Sequence, residues 1–263
     1  APPGRSVRTL SERALAYLRE GPRPPLDIVR DVLGLPRANR AVAERLTTAF
    51  LGADPRFSFD VDGLWSLVPE PAWRGVALDE VRWAVVDVET TGLSPRHGDR
   101  VTEIAVVHVD GPCVAVAFAS LVNPERAIPW RIVTLTGITD DMVRGAPCFA
   151  AVADAVLAAL AGRVFVAHHA RFDWRFVSAE VERARELALR MPRACTVRLA
   201  RHLVPELERR SLDSLMQFFG IESDARHRAA GDAVVTARVL QRLLARARER
   251  GLRTGEELEG LAR

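Results

Sequence analysis

The run Trp83-Ala84-Val85-Val86-Asp87-Val88-Glu89-Thr90-Thr91-Gly92 is apolar until it meets two acids at i and i+2. It predicts a strand over Val81 to Val88, and because successive side chains of a strand alternate between faces, Asp87 and Glu89 project on the same side. Two adjacent carboxylates repel. Keeping both ionised beside a core costs roughly several kcal/mol unless something positive lies between them, and a divalent metal is one way to supply that charge. A helix N-cap or a surface pair is the plainer alternative for the same two residues.

Two further segments carry acids next to apolar elements. Val164-Phe165-Val166-Ala167-His168-His169-Ala170-Arg171-Phe172-Asp173 runs from a short strand through a polar loop to an acid that opens a helix, where capping is the commonest role. His227-Arg228-Ala229-Ala230-Gly231-Asp232 precedes the last long helix. His227 and Asp232 lie about one and a half helical turns apart, so an imidazole and a carboxylate can flank one site. A lone histidine is more often a surface or capping residue.

Around these segments the pattern is mixed α/β. Val101 to Val109 and Cys113 to Val122 read as strands joined by Asp110-Gly111-Pro112, a connection short enough for an antiparallel hairpin. Phe149 to Leu160, Trp174 to Leu189, Leu212 to Phe219 and Ala230 to Arg248 have helical periodicity, and a short strand is expected around Ala194 to Val197.

The N-terminal part reads as three helices and a hairpin. Thr9 and Glu12 fit a capping box ahead of Ala14, Leu15 and Leu18, and Gly21-Pro22 ends that segment. Leu26, Ile28, Val29, Val32 and Leu33 form the apolar face of a second helix; Val42, Leu46 and Phe50 are expected to form that of a third. Phe57, Phe59 and Val61 then alternate with polar residues, and Asp62-Gly63 is a hairpin signal. This order is similar to a winged helix-turn-helix module, which serves either DNA contact or protein docking. The expected organisation is a winged-helix-like domain over 1–70, a linker over 71–79, an α/β domain over 80–250 and a C-terminal tail over 251–263.

The chain has 263 residues, with 37 Lys+Arg, all of them arginine, against 34 Asp+Glu, a net charge of +3. That excess is too small for binding that rests on bulk charge, so arginines count by position. Arg37, Arg40 and Arg45 on the third helix, with Arg171 and Arg228 beside the acidic motifs, are the expected phosphate contacts. Cys113, Cys148 and Cys195 are odd in number and lack CxxC spacing, which reads as three buried free thiols. No apolar run reaches the roughly 18 residues of a membrane span, and the first residues, APPGRSVRTLSER, are too polar for a signal peptide. A cytoplasmic chain without a membrane partner is expected.

Taken in order, DxE, HxxxFD and HxxxxD in an α/β domain resemble the DEDDh 3′→5′ exonucleases, the DnaQ-like family that includes the proofreading epsilon subunit of bacterial DNA polymerase III. The resemblance covers residues 80 to 245. Asn123-Pro124, Ile128-Pro129, Leu135-Thr136-Gly137-Ile138-Thr139-Asp140-Asp141-Met142-Val143 and Ser211-Leu212-Asp213-Ser214-Leu215 are similar to intermediate segments of that family.

The resemblance implies a ribonuclease H-like exonuclease fold, a mixed sheet flanked by helices. It implies that Asp87, Glu89, Asp173 and Asp232 hold two Mg²⁺ or Mn²⁺ ions, and that His227 is the general base for hydrolysis releasing nucleoside 5′-monophosphates from a DNA 3′ end. Thr90, Thr91 and Gly92 are expected near the terminal sugar, Ile138 against the terminal base, and His168 and His169 beside the substrate strand. His169 is a departure, since the family usually has Asn there. The implied partners are nucleic acid, single-stranded DNA or frayed 3′ ends, together with a polymerase or repair protein. RNA 3′-end trimming is one alternative, and a catalytically inactive nucleic-acid-binding or scaffold protein is another.

Overall fold

A computed structural model describes residues 9–52, 54, 56–59, 63–67, 73, 75–223 and 228–262. The chain divides into two compact units, Ala1–Glu70 and Pro71–Arg263.

In the first unit, α1 (Leu10–Leu18), α2 (Pro25–Asp31) and α3 (Arg40–Leu51) precede a two-stranded antiparallel sheet of β1 (Phe57–Phe59) and β2 (Trp65–Leu67). The Thr9 hydroxyl accepts from the Glu12 N–H, and the Glu12 carboxylate accepts in return from the Thr9 N–H at 2.7 Å, completing the expected capping box. Ala14, Leu18, Ile28, Val32, Leu51, Phe57 and Trp65 form the core. The apolar face of α3 differs from expectation by one position. Ala43, Thr47 and Leu51 are buried, whereas Val42 is 44% exposed. Thr47 tolerates burial because its hydroxyl donates to the Ala43 carbonyl at 2.9 Å. Val61, Asp62 and residues 68–72 and 74 of the expected hairpin and linker lie outside the described residues.

The second unit is built on a five-stranded sheet: β3 (Arg82–Thr90), β4 (Val101–Asp110), β5 (Cys113–Leu121), β6 (Val164–Ala167) and β7 (Arg193–Cys195), in the order β5-β4-β3-β6-β7. The first three strands are antiparallel neighbours, and β6 and β7 add in parallel. The helices are α4 (Trp130–Thr136), α5 (Asp140–Arg144), α6 (Phe149–Leu160), α7 (Arg171–Arg185), α8 (Thr196–Leu203), α9 (Leu212–Phe219), α10 (Ala229–Glu249) and α11 (Gly255–Ala262).

Strand alternation sorts this unit into two cores. Trp83, Val85, Ala105, Val107, Val164 and Val166 pack with Leu199, Leu203, Leu215, Leu240 and Leu243 from α8, α9 and α10. Ala84, Val86, Val88, Ile104, Val106 and Phe165 pack on the other face with Phe149, Val156, Phe176 and Val177 of α6 and α7. Asp87 and Glu89 have the parity of Trp83 and Val85, so they project on the face that α10 covers.

Three expectations are corrected. Residues 196–203 form a helix rather than the end of a strand, burying Thr196, Val197, Leu199, Ala200 and Leu203 along one stripe. The expected linker and tail are tied together: Trp73 and Leu258 are buried, and the Leu78 N–H donates to the Arg253 carbonyl at 2.7 Å. Cys113 is exposed and Cys148 and Cys195 are half-buried, because Cys113 opens the edge strand β5. Among the described residues no helix is long and apolar enough to cross a membrane.

Candidate active site

At the end of β3 the sheet opens. The parallel register of β6 runs only from Trp83 opposite Val164 to Val85 opposite Val166, so the following N–H groups of β3 face a gap on that side. Asp173, on the first turn of α7, fills it, its Oδ1 accepting from the Val88 N–H at 3.3 Å. Asp173 is thus no surface cap. It is 3% exposed.

On the α10 side, Asp87, Glu89 and Asp232 each offer a carboxylate oxygen, and these oxygens lie within 4.8 Å of one another. The spacing follows from the fold: β3 places two acids on one face, and the first turn of α10 crosses that face. Burial and the neighbouring Asp173, Glu89 and Asp232 hold the Asp87 carboxyl well above the usual carboxylate range. Burial, then Asp232 and Glu103, push Glu89 up to about 7, against a smaller lowering by Arg228. Burial pushes Asp173 up to about 8, although backbone N–H groups work in the opposite direction. The cluster therefore carries more negative charge than its surroundings stabilise, and its donors are all hard carboxylate oxygens. Both properties fit Mg²⁺ or Mn²⁺.

Glu103 is a member of the site that the motifs did not reveal. It lies directly opposite Glu89 on β4 and is 6% exposed. Its carboxylate accepts from Arg228 Nε at 3.0 and 3.1 Å, from Arg228 Nη2 at 2.6 Å and from the Ala229 N–H at 3.0 Å. Glu103 thereby anchors the start of α10, the helix that carries Asp232. An acid in the apolar strand Val101–Val109 was the available signal. Arg228, expected on phosphate, is committed to this pair instead.

The remaining expected residues divide. Thr90 and Thr91 are buried; the Thr90 hydroxyl donates to the Gly92 carbonyl at 2.6 Å, and the Thr91 hydroxyl accepts from the Arg100 N–H at 3.0 Å. Their side chains shape the loop after β3. At Gly92 a Cβ would meet the Asp99 carboxylate at 2.4 Å, so a larger residue would have to push that carboxylate off the Ser94 N–H that it accepts from. Ile138 is fully buried with Ile128 and Val143 and presents no surface to a base; the exposed apolar side chains of that region include Trp130, Leu135 and Met142. His168 Nδ1 lies 2.9 Å from the Thr196 hydroxyl, while His169 is exposed with φ +66. Asparagine and histidine both tolerate this left-handed backbone better than most residues, which accounts for histidine where the resemblance puts asparagine. His227 lies outside the described residues.

A family model described as Exonuclease (RNase T) matches residues 84–240. This chain belongs to the exonuclease family. It is 35% identical over 189 residues to the 3′-5′ exonuclease DinG of Bacillus subtilis, covering 70% of this chain and 20% of that protein. It is 34% identical over 162 residues to the DNA polymerase III subunit epsilon of Aquifex aeolicus, covering 62% of this chain and 80% of that one. This exonuclease-family chain spans only a fraction of the first curated relatives it matches, 13% in the case of the PolC-type DNA polymerase III of Bacillus subtilis. Among solved structures, exonuclease X in complex with 5′ overhanging duplex DNA superimposes with a TM-score of 0.54 at 26% identity, covering 70% of this chain and 99% of that one. The nuclease domain of 3′hExo, at 18% identity and a TM-score of 0.51, shares the fold.

Proposed function

We propose that this chain is a metal-dependent 3′→5′ exonuclease that hydrolyses phosphodiester bonds at DNA 3′ ends and releases nucleoside 5′-monophosphates. The reading is carried by the convergence of Asp87, Glu89 and Asp232, with Asp173 beside them, in a chain of the exonuclease family. These four carboxylates would hold two Mg²⁺ or Mn²⁺ ions, which when bound supply Lewis-acid charge to the scissile phosphate and to its entering and leaving oxygens.

The chain's own residues perform the rest. His227 accepts the proton of the attacking water as general base; an imidazole with an ordinary pKa near 6.5 is largely in its accepting form at neutral pH. Glu103 positions Asp232 through the start of α10. The loop of Thr90, Thr91 and Gly92 borders the terminal nucleotide through its backbone. Relatives at 34 to 37% identity whose names carry DNA polymerase III support DNA over RNA as the polymer. The first unit fits a winged-helix-like module that positions the enzyme on nucleic acid or on a polymerase or repair protein. Arg37 and Arg45 are exposed there and in no ion pair among the described residues, whereas Arg40 is paired with Glu44 at 2.8 Å.

The test is a side-by-side assay on 5′-labelled single-stranded DNA, a duplex with a mismatched 3′ end, and RNA, each with Mg²⁺. Stepwise shortening of DNA that EDTA abolishes is the expected result. Shortening of RNA alone would move the reading to RNA trimming, and intact polymers in every arm would leave a binding or scaffold protein.

A further inference from the structure

A groove of about 920 Å³ has walls that carry Arg171, Arg175, Arg193, Arg198 and Arg201, with His169 also in the lining and no acidic residue there. Its wall over residues 169–172 leads directly into Asp173 on α7. The volume is at the upper end of the range for small-ligand sites and well beyond what a single phosphate needs.

Several arginines elsewhere in the unit are committed to carboxylates. Arg100 and Arg183 pair with Glu180, Arg163 with Asp110, Arg185 with Asp154 and Arg228 with Glu103. Among the described residues none of the five groove arginines is in an ion pair. Two are nonetheless held in place by contacts that leave their charge intact. The Arg193 guanidinium lies 4.4 Å from the centroid of the Trp174 ring, and Arg175 Nη2 donates to the Ser94 hydroxyl at 3.3 Å. Arg198 and Arg201 stand at i and i+3 on the exposed face of α8, whose opposite face is anchored by Leu199, Ala200 and Leu203. Five guanidiniums gathered around one concavity repel one another, and a ligand with several negative charges relieves that repulsion. Guanidinium forks match phosphate geometry.

We propose that this groove binds the phosphodiester backbone of a single DNA strand, several nucleotides away from the 3′ end that lies at the carboxylate cluster. The choice of DNA rests on the exonuclease reading above. The groove makes affinity depend on substrate length and on salt, and holds the strand between successive cleavages.

The test measures fluorescence anisotropy of labelled oligothymidylates of two, six and twelve nucleotides on the full chain, in EDTA so that no hydrolysis is needed. Binding should tighten with length in the wild type. Arg198→Ala/Arg201→Ala should weaken the twelve-nucleotide strand about tenfold or more, as loss of charged hydrogen bonds does, and lower the slope of log affinity against log salt by about 1.4, roughly 0.7 per lost phosphate contact. Arg238→Ala/Arg242→Ala, two exposed positions on α10, removes equal charge outside the groove and should change the affinity less than twofold. Equal weakening by both pairs, or an unchanged salt slope in the groove variant, would overturn the proposal. Groove-dependent binding without hydrolysis on adding Mg²⁺ would overturn the exonuclease reading and leave the groove standing. Hydrolysis with groove-independent binding would do the reverse.

Discussion

Glu89 and Glu103 stand directly opposite each other across the β3–β4 ladder, and Arg228 closes on Glu103 through both Nε and Nη2. Like charges facing across a ladder destabilise it; here one of the two is neutralised by an arginine while the other is itself one of the candidate metal ligands. Glu103→Gln should lower stability by about 1–2 kcal/mol, less than a fully buried pair would because Arg228 is partly exposed. A double-mutant cycle with Arg228→Met, followed by thermal unfolding, should return a coupling energy of about 1 kcal/mol or more. Additive effects would show that the pair does not anchor α10.

Stability without metal should fall as pH rises. Glu89 and Asp173 have native pKa values raised to about 7 and about 8, above those of an unfolded chain. Between roughly pH 4 and pH 8 the unfolded state releases protons that the native state keeps. The contribution of these groups is fully present below pH 4 and is lost through pH 7 to 8. Melting curves in EDTA at pH 5.5 and pH 8 should therefore show the lower midpoint at pH 8, and saturating Mg²⁺ or Mn²⁺ should remove most of the difference. Asp173→Asn should flatten the EDTA profile.

Removal of one crowded carboxylate should separate stability from activity. Asp87→Asn relieves repulsion from Asp173, Glu89 and Asp232, so its melting midpoint in EDTA at pH 8 should exceed that of the wild type. Its rate of DNA shortening should drop by about 10²-fold or more, the several kcal/mol of transition-state charge stabilisation that a lost metal represents. A variant that is both more stable and fully active would remove Asp87 from the metal site.

These sites were unequally legible in the sequence. The acids on β3 were readable because strand period alone puts Asp87 and Glu89 on one face, and Gly111-Pro112 marks the adjoining hairpin. Ile138 was not, because whether an apolar residue in a short turn-rich segment faces a ligand or a core depends on Ile128 and Val143, which only the fold brings to it. Glu103 was visible as an acid in an apolar strand, but its partner lies 125 residues away. The groove arginines come from α7, β7 and α8, and the first residues of α8, Thr196 and Val197, read locally as the end of the short strand that β7 supplies.

The left-handed backbone at His169 yields a test confined to the loop. At φ +66 a β-branched side chain is strained by about 1–2 kcal/mol, whereas asparagine is at ease. His169→Asn should leave the melting midpoint essentially unchanged, and His169→Val should lower stability by that amount. Equal stability of the two variants would mean that the loop adopts another conformation in solution.

Gly255 tests whether the C-terminal helix is part of the core of the second unit. A Cβ at this position would lie 2.3 Å from Trp73 Cβ and 2.4 Å from the Trp73 carbonyl oxygen, atoms that cannot yield without moving the backbone. Trp73 also packs edge-on against Trp83 of β3 at 5.8 Å between ring centroids, so displacement here is transmitted to the strand that carries Asp87 and Glu89. Gly255→Ala should therefore cost about 1–3 kcal/mol, the range for overpacking a filled core, despite the higher helix propensity of alanine. Gly260→Ala, in the same helix with open space around it, should be neutral or stabilising. Urea denaturation of both variants separates the two effects, and a stabilised Gly255→Ala would show that α11 does not seat against Trp73.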